Sequence, residues 1–301
     1  YAALLSIPFT LGGEHAGGKR AELVRIGLQK ALFSSPAAAR QSVAARIRVL
    51  ESSAITPDVE NEIAGLRTLD AALAGIQPER YGKYQRLLTL LKEPGYGWSP
   101  TAGADRLVIF SERIETLRFL QERLQADLGL PDRAVAVLHG GLPDTEQQEL
   151  VENFGKTESP LQVLLCSDVA AEGLNLHYLS HRLIHFDLPW SLMVFQQRNG
   201  RVDRYGQNAT PIIAYLITES VHPRIRGDLR ILEVLQQKDE QAYRNIGDPS
   251  VFMRVYDAAA EERLTEAAMA EGMSAETFDA TYQPEPDEGE DFLSLFMTAP
   301  E

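Results

Sequence analysis

The sequence predicts an α/β fold in which a parallel sheet is preceded by a helical segment and followed by further helices. Short apolar runs recur along the middle of the chain, and amphipathic stretches of helical length separate them. The runs are nearly continuous in Val, Ile and Leu, as expected for strands covered on both faces. The predicted strands are 107–110, 134–138, 161–166, 183–186 and 211–217, and the predicted helices between them are 112–128, 143–154 and 191–204.

The first hundred residues predict helices only. Apolar residues spaced by three and four indicate a helix over 20–50, which Ser34-Ser35-Pro36 interrupts so that a second helix starts near Pro36. Two more helices are predicted over 57–75 and 78–92, each with a proline near its first turn. The segment 93–100, EPGYGWSP, is rich in turn residues and is the best domain boundary.

The chain therefore divides into four predicted parts. Further helical patterns, at about 224–244 and 250–271, follow the last strand. The Pro- and acid-rich end predicts disorder, and the final Phe292-Leu293-Ser294-Leu295-Phe296 is either a short docking segment or a frayed end. The parts are a helical arm or insert with its linker (1–100), the sheet domain (101–218), a helical extension (219–282) and an acidic tail (283–301).

Bulk composition excludes some classes of protein. The 29 basic and 43 acidic residues give a net charge of −14, which by itself argues against nucleic-acid binding. Residues 257–301 carry −12 of that charge, however, so the rest of the chain is close to neutral. Apolar runs are too short for a membrane helix, and the single cysteine, Cys166, excludes internal disulfides and favours a reducing, cytoplasmic location. The chain opens on Tyr1 without a signal-peptide pattern, which indicates a fragment of something longer.

Three segments are candidates for chemistry, and the first is a false lead. Residues 13–20, GEHAGGKR, match the phosphate loop G-x-x-x-x-G-K, but Arg20 stands where a Ser or Thr would bind Mg²⁺. The residues that follow predict helices rather than the strands of a sheet core. We therefore interpret the segment as a glycine-rich turn.

The second candidate is SDVAAEGLNL, residues 167–176, directly after the third strand. In a parallel sheet, ligands bind beyond the carboxyl ends of the strands, so this polar loop lies where a site is expected. An equally good interpretation is a capped helix start, with Ser167 or Asp168 as N-cap and Gly173 closing a turn. The segment alone leaves both open.

The third candidate, QQRNGRVDRYGQ at residues 196–207, is the most specific. The spacing predicts that Arg201 and Arg204 share one helical face, with Arg198 preceding them. Paired guanidinium groups suit the oxygens of a transferring phosphate. The competing interpretation is ion pairing between Asp203 and its neighbours.

This third segment resembles motif VI of superfamily 2 helicases and translocases in its Swi/Snf-type form. Other segments resemble the same family in the same order: 108–120 resembles motif IV, 136–142 the next strand and loop, 164–177 motif V, and 185–191 the strand before motif VI. Within the family, bacterial RapA-like proteins and the Swi/Snf-type helicase of phage-defence systems are the most similar. The resemblance implies a RecA-like parallel sheet, the carboxy-terminal lobe of the motor.

The resemblance also implies roles for individual residues. Arg201 and Arg204 would be catalytic arginine fingers, and phosphate contacts would position DNA without reading its bases. The isolated chain would not hydrolyse ATP alone, because ATP with Mg²⁺ would be bound mainly by the first lobe of the same parent chain. The implied nucleotide-binding residues are Gly173, Asn175, Glu172 and Gln197, and the implied DNA-backbone contacts are Ser111, His139, Gly140 and Ser167.

Three functional alternatives remain at this stage. The leading one is an ATP-dependent translocase or helicase lobe acting on duplex DNA, with a role in anti-phage defence beside other defence proteins. The others are a RapA-like ATPase that acts at RNA polymerase and a scaffold lobe that binds DNA without catalysis. No metal site is expected, since His177, His181 and His185 have no cysteine partners. Trp190 and Cys166 are expected to be buried packing residues.

Overall fold

The computed structural model describes residues 1–9, 17–100, 105–168, 179–204, 206–207, 209–220 and 257–271, with shorter stretches at 176, 225, 228–229, 231–233 and 235–236. Within these residues, five strands form one sheet in which every neighbouring pair is parallel. The strands are β1 (Leu107–Phe110), β2 (Val135–Leu138), β3 (Val163–Cys166), β4 (Arg182–His185) and β5 (Ile212–Tyr215). Their order in the sheet is β2-β3-β1-β4-β5. The predicted α/β fold with a parallel sheet is confirmed.

The helices fall into two groups along the chain. Those that precede the sheet are α1 (Ala2–Leu5), α2 (Gly17–Ser34), α3 (Pro36–Glu51), α4 (Pro57–Ala74), a 3₁₀ turn (Pro78–Arg80) and α5 (Gly82–Lys92). Those that connect or follow the strands are α6 (Ile114–Asp127), α7 (Asp144–Phe154), α8 (Leu192–Asn199) and α9 (Ala258–Glu271). The predicted break before Pro36 is confirmed: the Ser35 hydroxyl caps α3 by accepting a hydrogen bond from the Ala38 N–H at 3.0 Å.

The sheet is buried on both faces, as its continuous apolar strands predict. Alternate residues of β1 point into different cores, with Leu107 and Ile109 on one side and Val108 and Phe110 on the other. The first core also takes in α6 and α5, and the second takes in Phe154 of α7. Helix α5 therefore packs on the sheet, although the sequence groups it with the arm.

Helices α1 to α4 form a separate core of their own, which includes Leu4, Val43 and Leu66. We call α1–α4 the arm. Helix α2 also contacts α9, and Ile26 of α2 packs with Trp190 and Phe195 beyond β4. Trp190 is 2% exposed, so its predicted packing role is confirmed.

One predicted helix ends earlier than expected, and several predicted segments lie outside the described residues. The predicted helix 191–204 is wrong at its end, because α8 stops at Asn199 and Gly200 follows it as the C-cap. Most of 224–244 and all of 272–301 lie outside the described residues, so the predicted tail is not tested. Of the glycine-rich segment, 13–16 also lie outside them, while 17–20 form the start of α2, so the interpretation of this half as a turn is wrong. The bounds of the four predicted parts also stay predictions. Among the described helices, none is long and apolar enough to cross a membrane.

The strand order places the site. From β1 the chain crosses to β2 on one side, and from β4 it continues to β5 on the other. The crevice between the carboxyl ends of β1 and β4 is therefore the topological switch point, where open α/β sheets bind ligands.

Candidate functional site

Asp187, two residues past β4, is the centre of the polar groups at the switch point. Its Oδ2 accepts hydrogen bonds from Ser111 Oγ at 2.6 Å and from Ser34 Oγ at 2.7 Å, and its Oδ1 accepts one from the Glu112 N–H at 3.0 Å. Burial alone would raise the pKa of Asp187, but Arg198, Lys83 and the two hydroxyls outweigh it and hold that pKa below its usual value. The carboxylate is thus ionised and well satisfied.

The arm supplies part of this cluster through a chain of hydroxyl groups. Thr116 Oγ1 lies 2.7 Å from both Ser34 Oγ and Ser35 Oγ. An ionised carboxylate only accepts hydrogen bonds, so Ser34 donates to Asp187 and must accept from Thr116, which in turn accepts from Ser35. All four side chains are at least nine-tenths buried. The crevice is therefore filled by the protein's own hydroxyls, and the arm is bonded to the end of β4.

Arg198, on α8, joins the strand ends to the segment that carries the other arginines. It is 1% exposed and donates two hydrogen bonds to the Asp168 carboxylate, at 2.5 and 2.8 Å. Its Nη1 donates to the Asp187 carbonyl at 2.8 Å. Such a planar, two-pronged pair fixes orientation as well as charge. Arg198 thereby ties the loop after β3 and the end of β4 to the last turn of α8.

His185, the last residue of β4, contacts the last turn of α8. Its ring stacks on Phe195 and Tyr215, with centroids 5.6 and 4.8 Å away. Burial, with a smaller contribution from the charge of Arg198, lowers the pKa of His185 to about 3, so the ring is neutral. Arg198 Nη1 lies 3.4 Å from Nδ1, which leaves Nε2 to donate to Asn199 Oδ1 at 2.8 Å. His185 therefore orients the residue that ends α8.

The arginines predicted as fingers lie beyond the helix, in a turn. The Arg201 N–H donates to the Arg198 carbonyl at 3.1 Å and the Asp203 N–H to the Asn199 carbonyl at 3.0 Å, which closes a tight turn after Gly200. The prediction that Arg201 and Arg204 share a helical face is therefore wrong, since Gly200 ends the helix before them. Arg201 is half-buried and Arg204 is exposed.

Val202 anchors this turn. It lies between Arg201 and Arg204 in the sequence and is fully buried in the core that contains Val108 and Phe110. Gln197 is exposed on α8, one residue before the buried Arg198. The turn thus combines an apolar anchor with side chains at the surface.

The predicted DNA contacts fall into two groups by exposure. At the end of β2, His139 is half-buried and Gly140 is exposed, and His139 Nδ1 accepts a hydrogen bond from the Gly141 N–H at 3.1 Å. Ser167 is 7% exposed and Ser111 is fully buried, with its hydroxyl bonded to Asp187. A contact through the Ser111 hydroxyl would require that bond to open, and the assignment of all four residues stays a prediction.

The remaining predicted nucleotide contacts, Glu172, Gly173 and Asn175, lie outside the described residues. Within the described part of the chain, no group of three or more His, Cys, Asp or Glu side chains is placed to hold a metal ion. Cys166 is fully buried and burial raises the pKa of its thiol, which confirms it as a packing residue.

A second tie joins the arm to the lobe beside the switch point. Lys30 of α2 lies 2.9 Å from Glu112, which follows β1, and also pairs with Glu262 of α9. Burial raises the pKa of Glu112 to about 7 against the attraction of Lys30. The cation on α2 thus contacts carboxylates on two other elements.

Sequence reasoning missed the residues that hold the site together. Asp187 follows a strand, and Asp168 does too, so their position was a usable signal. The sequence identifies Arg198 only as an arginine that precedes Arg201 and Arg204. Nothing in the pattern of Ser34 indicates a bond to Asp187, because the two residues are 153 positions apart.

Comparison with known proteins agrees with this geometry. Residues 82–206 match the family model described as the helicase conserved C-terminal domain. That span begins at the first residue of α5, the helix that packs on the sheet, and ends just past Arg204. Over this region the chain is similar to the conserved carboxy-terminal domain of helicases.

Curated relatives match about a third of the chain. The RNA polymerase-associated protein RapA of Vibrio parahaemolyticus is 32% identical over 104 residues, which cover 35% of this chain and 10% of the relative. RapA of Pseudomonas putida is 33% identical over 105 residues, which cover 35% of this chain and 11% of the relative. The chain thus spans about a tenth of the length of the curated relatives it matches.

Solved structures are also similar to the chain. The C-terminal part of the Fun30 ATPase domain is 16% identical, with a TM-score of 0.47 over 86% of this chain and 83% of that chain. The Sulfolobus solfataricus SWI2/SNF2 ATPase core in complex with double-stranded DNA is 21% identical, with a TM-score of 0.43 over 81% of this chain and 46% of that chain.

Proposed function

We propose that this helicase lobe is the second motor lobe of an ATP-dependent, Swi/Snf-type translocase that acts on duplex DNA. The observation that carries the proposal is the fixed turn after α8. Arg198 bonds it to Asp168 and Asp187, so the side chains that follow Gly200 extend from a rigid base. Preorganised charge of this kind is what stabilises a phosphoryl-transfer transition state.

Arg201 and Arg204 are the proposed arginine fingers. ATP with Mg²⁺, held mainly by the first lobe of the parent chain, supplies the phosphoryl group that is transferred. Arg201 and Arg204 bring guanidinium groups to its oxygens, and exposed Gln197 lies on the preceding helix turn. Glu172, Gly173 and Asn175 complete the proposed nucleotide contacts. On this proposal the chain alone does not hydrolyse ATP.

Neutral groups contact the DNA in this proposal. His139 and Gly140 lie at an open strand end, and Ser167 follows the neighbouring strand. Backbone N–H and hydroxyl groups can hold phosphates without reading the bases, which suits movement along any sequence. Ser111 would join them only if its bond to Asp187 opened.

Substitution of Arg204 tests the proposal in the parent chain that carries the first lobe. Arg204→Ala should lower DNA-stimulated ATPase turnover at least a hundredfold, because a finger stabilises charge only in the transition state. Binding of duplex DNA should stay within about twofold, measured by fluorescence anisotropy, since the proposed DNA contacts lie elsewhere.

Arg67→Ala is the matched control. Arg67 lies on α4 of the arm, its side chain is 67% exposed and it pairs only across the surface with Glu51. Turnover should be unchanged in this variant. Unchanged turnover in Arg204→Ala would refute the assignment of the finger.

A RapA-like role at RNA polymerase is the second candidate, and the identity of 32–33% to proteins of that name favours it. Co-purification of the parent chain with RNA polymerase would support this candidate. Co-purification with products of neighbouring defence genes would support the anti-phage role instead. A scaffold without catalysis has no need of arginine fingers. A parent chain without ATPase activity would favour that third alternative. All three imply a cytoplasmic location.

A further inference from the structure

A groove of about 740 Å³ lies between the arm and the edge of the sheet. We call it the arm groove. Its walls come from α1, the end of α2, the end of α4 and the start of α5, and its floor is the chain from Ala214 to Glu219. Its volume lies within the range of functional pockets. No step of the proposed motor uses it.

The lining of the arm groove is mainly apolar. Leu32 and Phe33 line one side, and Leu73 and Leu90 lie among the lining residues contributed by α4 and α5. Ile76 also lines the groove and is 38% exposed. An apolar occupant would remove this surface from water.

The charges of the groove are unbalanced. Arg80, Lys83 and Arg86 line it, against the single carboxylate of Glu219. Lys83 is buried and lies 3.6 Å from Asp228, while Arg86 pairs with Glu93. Arg80 and Arg86 are exposed. Because Arg86 is paired, Arg80 is the cation that gives the mouth of the groove its positive charge.

The floor of the groove is an edge of the sheet. In the described part of the chain, β5 has a neighbouring strand on one side only, β4. Uncovered edge strands attract other extended segments, so proteins usually cover them. The edge strand, the apolar lining and the basic mouth therefore favour an occupant that is extended, apolar and next to acidic residues.

The carboxy-terminal end of this chain has that composition. Residues 285–291, EPDEGED, hold five carboxylates, and they are followed directly by the apolar segment 292–296, FLSLF. The acidic run would face Arg80 and Arg86 while the segment lies on the apolar walls. One stretch of sequence thus offers an apolar segment for the walls of the groove and carboxylates for its basic mouth.

We propose that residues 292–296 bind in the arm groove of their own chain, with the acidic run 285–291 at its positive mouth. The link to the described part of the chain has 20 residues, which separate Glu271, the end of α9, from Phe292. Extended, such a link spans about 70 Å, and as a flexible coil about 25 Å on average. Bound there, the segment bridges the arm and the lobe.

Disulfide trapping in the full chain tests the proposal. Cys166 is fully buried, so cysteines introduced at the surface are the reactive ones. The test pair is I76C/S294C, with one cysteine in the groove wall and one in the segment. The matched control is V49C/S294C, since Val49 is 58% exposed and lies outside the groove lining.

The I76C/S294C pair should form a disulfide at least tenfold faster than V49C/S294C under mild oxidation. Its rate should not depend on protein concentration, and adding R80E/R86E should slow it severalfold because the mouth of the groove then repels the acidic run. Both substitutions lie on exposed side chains, and circular dichroism would verify that the fold persists. Equal rates for the two pairs would overturn the proposal. So would disulfides that form only between chains, which would assign the groove to a second copy.

Discussion

The ends of β1 and β4, at the switch point, are covered by the arm, whereas the end of β2, at the sheet edge, is open to solvent. After β1 and β4, Ser111 and Asp187 are sealed under the arm by the hydroxyl of Ser34. After β2, His139 and Gly140 meet solvent. All four positions are equivalent by topology, since each follows a strand at the carboxyl edge of a parallel sheet.

This difference separates a supporting role from a contacting role. Polar groups that are sealed and fully bonded fix the position of α8 and its turn, while polar groups at the open end are available to a ligand. The sealed side should therefore govern stability, and the open side should not. Three substitutions probe that contrast, from the largest expected effect to the smallest.

Arg198→Ala should be the most damaging. It removes the guanidinium that neutralises Asp168 and Asp187, and breaking a buried ion pair typically costs about 3 kcal/mol or more of unfolding free energy. Urea denaturation of the chain measures this loss. Arg67→Ala, at an exposed pair, should cost less than about 0.5 kcal/mol. A loss below about 1 kcal/mol for Arg198→Ala would mean that Arg198 does not hold the site.

Ser34→Ala removes the bond from the arm to Asp187. The expected loss is about 2 kcal/mol, because a hydrogen bond to a charged, buried acceptor is lost. Thr116 also loses its acceptor at Ser34 Oγ. Ser53→Ala serves as control, since the Ser53 hydroxyl bonds only to the Leu50 carbonyl of its own helix end. Equal losses for the two serines in urea denaturation would show that the arm is not tied through Asp187.

His185→Phe should change the pH dependence of stability. The folded-state pKa of His185 is about 3, against about 6.5 in the unfolded chain, so the stabilisation by neutral His185 is complete above pH 6.5 and is lost as the pH falls towards 3. Wild type should therefore lose about 1 kcal/mol relative to the variant between pH 6.5 and pH 5.5.

Glu112 contributes to the pH dependence of stability with the opposite sign, and this contribution cancels when wild type is compared with His185→Phe. The pKa of Glu112 is raised to about 7, so its ionisation lowers stability as the pH rises, in both proteins alike. Ser53→Ala, which removes no titratable group, is the control and should run parallel to wild type. A parallel pH profile for His185→Phe would contradict burial of a neutral ring.

The sheet was predictable because each strand is a local apolar run. The predicted bounds of β1 agree to the residue. Those of the other strands agree within one residue, except at the amino end of β3 and the carboxyl end of β5, where they differ by two because the apolar composition continues outside the hydrogen-bonded ladder. The end of α8 was not predicted because the periodic pattern continues through Gly200, while the backbone bonds of Arg201 and Asp203 close a turn instead.

The candidate site was predictable only in part. The family resemblance pointed to the turn with Arg201 and Arg204, but not to what positions it. Arg198 is held by partners 11 and 30 residues away, and Ser34 reaches across 153 residues. Pairings of this range depend on the tertiary fold, and no local pattern encodes them.

The ties at Ser34 and Lys30 also have a mechanical consequence. Because both residues of α2 are bonded to the ends of the central strands, α2 turns with the lobe as one body. A helix of 18 residues is about 27 Å long, so a rotation of the lobe by 10° would carry the far end of α2 through about 5 Å. The arm is thus a lever that converts small rotations of the sheet into displacements at the protein surface.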